Sequence, residues 1–226
     1  MANLAPVRLP PLLLLLVLAM ALSACGEEET ADIPDGGDTT PAASAPAEPS
    51  ADAGDTCQNK VVKGKPLAEG KDYSVQVSTS EGEFTIDLDP AKAPRTTRSF
   101  VDLARKGFFD DTEFHRIVPD FVIQGGDPTN SGTGGPGYST CDVPPPDTQY
   151  TKGVVAMAKS GQEEPGTAGS QFYVVTGDAT QLPPEYAVIG KVGEGLATAE
   201  KIGNLGGPDE KPTKKVVVKS TKVIES

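Results

Sequence analysis

Residues 114–127 read Phe-His-Arg-Ile-Val-Pro-Asp-Phe-Val-Ile-Gln-Gly-Gly-Asp, and this stretch decides how the rest of the chain is organised. Its two halves have the alternating pattern of half-buried β-strands, separated by a Pro-Asp break and ended by a Gly-Gly turn. The pattern places Arg116 on the same face as Phe114 and puts Gln124 on the second strand. A polar group on such a strand costs free energy unless it is paired. Arg116 and Gln124 therefore either satisfy each other in the core or face a ligand.

Short segments with the same period recur through residues 71–226 and predict a mainly β domain with two helices. Many short strands without an internal repeat are typical of a barrel or a sandwich, and the period alone does not separate the two. The predicted strands are residues 73–78, 83–88, 114–118, 121–124, 154–158, 172–175, 187–192 and 216–224, and the predicted helices are residues 96–106 and 196–202.

Residues 1–24 have the organisation of a secretory signal peptide, with Arg8 before an apolar run of Leu, Val, Ala and Met. The run is shorter than the roughly 20 apolar residues that a membrane span needs. It ends in Leu-Ser-Ala followed by Cys25, which resembles the lipidation site of bacterial lipoproteins. We expect Cys25 to carry a lipid anchor on the outer face of the bacterial cell membrane, in preference to ordinary secretory cleavage.

Residues 25–70 are predicted to be the lipidated Cys followed by a disordered acidic, Ala- and Pro-rich linker. Between residues 26 and 57 there are 9 of the 32 acidic residues and no Lys or Arg. From residue 58 onward there are 23 acidic and 19 basic residues, so most of the net charge of -12 comes from the predicted linker. An acidic chain of this kind is a poor partner for nucleic acid.

Cys57 and Cys141 are the cysteines that remain if Cys25 is lipidated. An exported protein meets an oxidising environment, so a disulfide between them is one interpretation and two separate thiols are the other. The only His, His115, has no ligand-spaced partners. We therefore expect a structural His, no metal site and no cofactor, because zinc sites need three or four clustered ligands.

The stretch 114–127 resembles the first signature of the cyclophilin family of peptidyl-prolyl isomerases. Met-Ala-Lys at residues 157–159 with Gly-Ser-Gln-Phe-Tyr at residues 169–173 resembles the second, and residues 190–196 resemble the third. Long motifs in the right order are more specific than a single short glycine pattern. The resemblance implies that residues 71–226 form a closed eight-stranded antiparallel β-barrel capped by two helices.

The resemblance also implies the roles of the site residues. Arg116 matches the family's catalytic arginine, and Gln124 matches the residue that orients it and hydrogen-bonds the substrate. The positions that hold the proline ring or pair with the substrate chain correspond here to Phe121, Val122, Ala158, Lys159, Tyr173 and Leu182.

Three residues depart from the family pattern. Tyr173 stands where the family has Phe, and Tyr186 stands where many members have His. Gln181 stands where many eukaryotic members have Trp, so weak cyclosporin binding is expected.

The chain is thus expected to be a peptidyl-prolyl cis-trans isomerase, a monomer that assists the folding of exported proteins and binds their proline-containing segments. The alternative is a non-catalytic, membrane-tethered module that binds proline peptides. Such a module would keep Phe121 and Leu182 but would not need Arg116. A solute-binding lipoprotein is disfavoured, because the folded part is too short for two lobes.

Overall fold

The computed structural model describes residues 66–226, and the structural statements below concern this part of the chain. The strands are β1 Tyr73–Thr79, β2 Gly82–Leu88, β3 Arg116–Val118, β4 Val122–Gly125, β5 Thr140–Cys141, β6 Val154–Met157, β7 Thr167–Ala168, β8 Phe172–Val175, β9 Val188–Glu194 and β10 Val218–Glu225. The helices are α1 Pro94–Arg105 and α2 Leu196–Gly203, and a short 3-10 turn covers Pro208–Glu210.

Eight strands form one curled antiparallel sheet in the order β10-β1-β2-β9-β6-β8-β4-β3, and β5 pairs separately with β7. The strand number and direction are as predicted, but the prediction of a closed barrel is wrong. Within residues 66–226 the two edge strands approach through an isolated bridge between Glu113 and Val217 and a hydrogen bond from Phe114 N to Val216 O (3.0 Å). β10 pairs with β1 on one edge and β3 pairs with β4 on one edge, and no ladder joins the remaining edges of β3 and β10 within the described residues. The sheet is therefore a half-barrel.

The predicted hairpin is confirmed by β1 and β2. Buried and half-buried residues alternate along β1, and Val75 and Val77 lie opposite Ile86 and Phe84 of β2. The pleat sends these side chains to one face, where they join the main core.

The second edge of β1 pairs with β10, and this pairing brings the two ends of the domain together. Tyr73 lies opposite Glu225 in the β1–β10 ladder, and Asp72 and Ser226 exchange backbone hydrogen bonds of 3.1 Å in both directions. The first and last strands of the domain are therefore neighbours in the sheet.

Both predicted helices are confirmed, and α1 begins two residues earlier than expected, at Pro94. Proline suits a first helical position because it has no N–H to leave unpaired. The backbone N of Thr96 donates to the Asp142 carboxylate (2.7 Å), which supplies the partner that the N-terminus of a helix lacks. No helix within residues 66–226 is both long enough and apolar enough to span a bilayer.

The sheet separates two apolar clusters, and β8 shows how. Phe172 and Val174 belong to the main core, whereas Tyr173 and Val175 belong to a second cluster, because neighbouring side chains point to opposite faces. The rings of the main core pack edge to face or tilted at 4.9–6.3 Å between centroids: Phe84, Phe100, Phe109, Phe114 and Phe172.

One part of the strand pattern at residues 114–118 was interpreted wrongly. Phe114 precedes β3 and is fully buried in the main core with Ile117, so it does not share a face with Arg116. Arg116 is only half-buried. The arginine therefore stands on the side of the sheet away from the main core.

Cys141, on β5, is buried and disulfide-bonded. Cys25 and Cys57 both lie outside the described residues, as do the predicted signal peptide and most of the predicted linker. The pairing of Cys57 with Cys141 stays one interpretation of the cysteine pattern, and the lipidation of Cys25 stays a prediction.

Candidate active site

A cleft of about 260 Å³ is lined by residues of β3, β4 and β8, of the turn between β3 and β4, and of the loops that follow β6 and β8. All eight residues predicted from the sequence line this cleft, although they come from distant parts of the chain. Tyr186 completes the lining. The set is Arg116, Phe121, Val122, Gln124, Ala158, Lys159, Tyr173, Leu182 and Tyr186.

Strand pairing brings the arginine and the glutamine together. Arg116 and Gln124 are register partners in the antiparallel β3–β4 ladder, and the Arg116 Nη1 donates to Gln124 Oε1 at 3.4 Å. Residues opposite each other in a ladder project to the same side of the sheet. The side chain of Arg116 is 34 % exposed, so the guanidinium is at the cleft and is not enclosed in the core.

A carboxylate holds the other side of the guanidinium. Arg116 Nε donates to Glu210 Oε2 at 2.5 Å, from the 3-10 turn that follows α2. The hydrogen bond from Arg116 lowers the pKa of Glu210 below its ordinary value, against a weak opposing effect of burial, so the carboxylate is ionised at neutral pH. Two of the five guanidinium N–H groups thus have a partner within residues 66–226.

Gln124 is held in turn by a second glutamine. Its Nε2 donates to Gln171 Oε1 at 3.1 Å, and Gln171 Nε2 donates to the backbone oxygens of Gly132 and Gly134, both at 3.0 Å. These bonds fix the amide orientation of Gln124, with its oxygen toward Arg116. The glycine-rich loop therefore positions the site through two amide side chains.

Asp127 organises that glycine-rich loop. Its fully buried carboxylate accepts hydrogen bonds from the backbone N of Thr129 (2.7 Å), Gly132 (2.6 Å) and Gly134 (3.0 Å). Burial raises the pKa of Asp127, but the hydrogen bonds from Thr129 and the two glycines outweigh it and hold the pKa well below its usual range. A Cβ on Gly134 would lie 2.0 Å from Asp127 Oδ1, so only glycine allows this approach.

The apolar wall of the cleft belongs to the second cluster of the sheet. Phe121 and Leu182 pack on this cluster, and the Tyr173 ring lies 5.8 Å from the Tyr186 ring and 6.4 Å from the Tyr150 ring. The Tyr150 hydroxyl bonds the backbone of Tyr186 twice, donating to its O and accepting from its N, each at 2.9 Å. The wall is built from rings whose positions are fixed by packing and by backbone hydrogen bonds.

The hydroxyl of Tyr173 differs from that of Tyr150. It is buried, and it makes no hydrogen bond within residues 66–226. Burial raises the pKa of the Tyr173 phenol far above its ordinary value, and the neighbouring Tyr150 and Tyr186 add to the shift. The phenol is therefore neutral at pH 7.

The segment that follows β6 forms another side of the cleft. The backbone N of Ala158 donates to Gln171 O (2.9 Å). The Lys159 ammonium pairs with Glu185 (2.9 Å) and lies 5.5 Å from the Tyr186 ring centroid, with the side chain 4 % exposed. The side chain of Lys159 is engaged within the protein, which leaves its backbone as the part suited to a ligand.

His115 is half-buried and is close to Gly132, whose added Cβ would lie 3.8 Å from the imidazole. Burial lowers the pKa of His115, against the opposing attraction of the Asp127 charge, so the ring is neutral at pH 7. Within residues 66–226 no three His, Cys, Asp or Glu side chains are arranged to hold a metal ion.

Three site residues had no role assigned from the sequence. Gln171 belongs to the second signature, so its contact with Gln124 could have been predicted from the resemblance. Tyr186 was noted only as a departure from the family pattern. Glu210 belongs to no motif, and nothing in the sequence around it points to Arg116.

Comparison with known proteins agrees with this geometry. The family model described as cyclophilin type peptidyl-prolyl cis-trans isomerase matches residues 74–223. A peptidyl-prolyl cis-trans isomerase of Arabidopsis thaliana is 35% identical over 162 residues, which cover 70% of this chain and 97% of the relative. A probable peptidyl-prolyl cis-trans isomerase B of Mycobacterium leprae is 38% identical over 208 residues, covering 78% of this chain and 69% of the relative.

A solved structure shares the fold as well as the sequence pattern. The crystal structure of a cyclophilin type peptidyl-prolyl cis-trans isomerase of Cryptosporidium parvum superposes with a TM-score of 0.63 at 30% identity, covering 68% of this chain and 98% of that one. A second structure of the same Cryptosporidium protein, determined in the presence of the dipeptide Ala-Pro, superposes with a TM-score of 0.62.

Proposed function

This chain belongs to the cyclophilin-type peptidyl-prolyl cis-trans isomerases, and we propose that it isomerises X-Pro bonds of exported proteins through Arg116 while anchored to a membrane by Cys25. The enzyme class follows from the family, and the role of each residue and the cellular setting are the proposal. The observation that supports the residue roles is the joint lining of one apolar cleft by Arg116 and Gln124.

The chemistry of the reaction explains why an arginine suits this position. The barrier to rotation about a peptide bond is roughly 18–20 kcal/mol because its C–N bond has partial double-bond character. In the twisted transition state that resonance is lost, and the prolyl nitrogen becomes pyramidal with a free lone pair. A fixed N–H donor near that nitrogen binds the twisted state better than either planar isomer, which is the requirement for catalysis. Arg116 keeps its charge at every relevant pH.

The rest of the cleft supplies binding and orientation. The proline ring is small and apolar, and the cleft of about 260 Å³ offers it the side chains of Phe121, Val122 and Leu182 with the ring of Tyr173. Gln124 holds one Nη of Arg116 and is itself held by Gln171. The backbone of Lys159 is the part of its segment suited to pair with the substrate chain. No bond is made or broken, so the reaction needs no nucleophile.

The catalytic proposal is tested with the full-length chain in mild detergent and a short Ala-Pro peptide, by NMR exchange between its cis and trans signals. Arg116→Ala should lower kcat/KM by about 100-fold, the cost of removing one aligned transition-state donor. Its affinity for the peptide, from chemical-shift titration, should change by less than about threefold. Arg105→Ala is the charge-matched control, because Arg105 pairs with Glu225 and does not line the cleft. Equal losses of rate and affinity in Arg116→Ala would contradict the proposed role.

The cellular proposal rests on the sequence at residues 1–70. The apolar run ending at Cys25 and the acidic linker that follows are suited to a domain held at a distance from a membrane. Cys25→Ser should move the protein from the membrane fraction to the soluble fraction and abolish its labelling by a palmitate analogue. Cys57→Ser is the matched control and should leave both unchanged. Membrane association that persists in Cys25→Ser would refute the anchor.

A further proposal concerns cyclosporin. Gln181, at the position of a family Trp, is exposed and adjacent to Leu182 of the cleft, and offers no ring to the drug. We expect weak inhibition of the parent protein and tighter inhibition of Gln181→Trp. The same cyclosporin affinity in both proteins would show that this position does not determine it.

A further inference from the structure

Glu210 contacts the arginine of the cleft, and the chemistry described above does not require a carboxylate there. The Arg116 Nε donates to Glu210 Oε2 at 2.5 Å, which is shorter than the 3.4 Å bond from Nη1 to Gln124. Both partners are partly exposed, with 34 % of the Arg116 side chain and 52 % of the Glu210 side chain accessible. An ion pair in this setting adds little to the stability of a fold.

The backbone at this point is unfavourable for the residues that occupy it. Asp209 and Glu210 both have left-handed φ angles, 58° and 59°. A residue with a Cβ loses free energy in this conformation, and glycine does not. Strained backbone positions are concentrated at functional sites. Here the strained position carries the carboxylate that binds Arg116.

The loop that carries Glu210 is fixed relative to β3. Its ends are tied by hydrogen bonds from Gly207 N to Lys211 O (2.8 Å) and from Thr213 N to Leu205 O (2.7 Å). It also packs on the turn after β3, because a Cβ on Gly206 would lie 2.5 Å from the Pro119 ring. Glu210 is therefore held by an element in direct contact with the strand that carries Arg116.

The guanidinium is consequently held at two of its edges. Glu210 accepts from Nε and Gln124 accepts from Nη1, so the plane of the group is fixed and its remaining Nη hydrogens are left for a ligand. An arginine held only at Nη1 would rotate about its terminal torsions. A catalytic donor that is misplaced by about 1 Å loses up to about 100-fold in rate.

We propose that Glu210 is a positioning residue, which fixes the guanidinium plane of Arg116 through its Nε so that the Nη donors meet the twisted prolyl bond. The inference rests on the proposed catalytic role of Arg116. The Pro208–Glu210 turn would then contribute to the reaction, although it lies outside all three signatures.

The test replaces Glu210 by Gly in the full-length chain in mild detergent, with Asp209→Gly as the matched control. Both changes relieve a left-handed position and remove one negative charge, but only Glu210 has an ion pair within residues 66–226. In Glu210→Gly, kcat/KM for an Ala-Pro peptide should fall about tenfold, in kcat more than in KM. In Asp209→Gly it should stay within about twofold. Neither melting temperature should fall, since each change removes backbone strain.

A spectroscopic signal separates positioning from general loss of structure. The Arg116 Nε–H should give a resolved NMR signal protected from exchange with water in the parent and in Asp209→Gly. The signal should lose its protection in Glu210→Gly and keep part of it in Glu210→Gln, which retains an acceptor and should lose only about threefold in kcat/KM.

The outcomes are distinct. Unchanged or increased kcat/KM in Glu210→Gly, with Arg116→Ala inactive, would overturn the positioning role and leave the catalytic one. Full activity in Arg116→Ala would instead remove the premise. In the Arg116→Ala background, Glu210→Gly should have no further effect, and an additive loss would show that Glu210 acts independently of Arg116.

Discussion

Replacing Tyr173 by Phe removes a buried hydroxyl that has no hydrogen-bond partner within residues 66–226. Burial of an unpaired hydroxyl costs about 1–3 kcal/mol in proteins. The change also removes the van der Waals contacts of one oxygen atom, which offsets part of the gain. We therefore expect Tyr173→Phe to stabilise the domain by about 1 kcal/mol and to raise the melting temperature by about 2–4 °C.

Tyr150→Phe is the matched control, because its ring lies in the same cluster 6.4 Å from Tyr173. The Tyr150 hydroxyl donates to Tyr186 O and accepts from Tyr186 N. Its removal leaves two buried backbone groups without their partner, so this variant should lose about 1–3 kcal/mol. The same chemical change is expected to have opposite signs at two neighbouring positions.

The assay is urea unfolding followed by circular dichroism, with the slope of the transition compared so that a change in midpoint reports stability. Isomerase activity should stay within about twofold in Tyr173→Phe, because the ring that lines the cleft is retained. A loss of stability in Tyr173→Phe would refute the reasoning, since it would mean that the hydroxyl is hydrogen-bonded in solution. The result should not depend on pH, because burial keeps the phenol neutral.

Three other predictions concern the loop and amides beside the cleft. Asp127→Asn should destabilise the domain by about 2–4 kcal/mol at pH 7 in urea unfolding. Because hydrogen bonds lower the pKa of Asp127 in the folded state, its contribution is present above the pKa of an ordinary carboxyl and is lost as the pH falls through the lowered value, so the variant should lose less stability on acidification than the parent. Gly134→Ala should cost about 1–3 kcal/mol by crowding Asp127, whereas Gly135→Ala, with nothing within 4 Å of its added Cβ, should leave the melting temperature unchanged. Gln171→Ala should lower kcat/KM about three- to tenfold in the NMR exchange assay by freeing Gln124, and activity equal to the parent would show that this amide does not orient it.

The period-two pattern predicted most of the sheet because one face of each strand is buried. Phe172–Val175 was predicted to the residue, and the hairpin of β1 and β2 was placed to within one residue. The eight residues that the motifs matched all line one cleft, and their roles there stay predictions. The motifs were needed to group them, because alternation alone does not state which distant segments meet.

Other features depend on contacts that a local pattern does not carry. β5 and β7 have two residues each, too few to show a period, and they were missed. Closure of the barrel depends on whether the free edges of β3 and β10 pair with each other, and a strand of three residues gives no sign in the sequence of which segment it will pair with. The carboxylate of Glu210 reaches Arg116 through a left-handed backbone position, and a glutamate gives no signal for that conformation.

The pairing of β1 with β10 has a consequence for the order in which the domain folds. Lys71 and Glu225 make an ion pair although they are 154 residues apart in the chain, so this ladder closes the longest loop of the domain. Pairings of such large sequence separation raise the contact order and slow folding. A circular permutant that joined residue 226 to residue 72 through a two-residue Asn-Gly turn and opened an exposed loop at residue 146 would turn this ladder into a local hairpin. It should fold faster than the natural chain order and keep the same cleft, since no residue of the cleft lies near either junction.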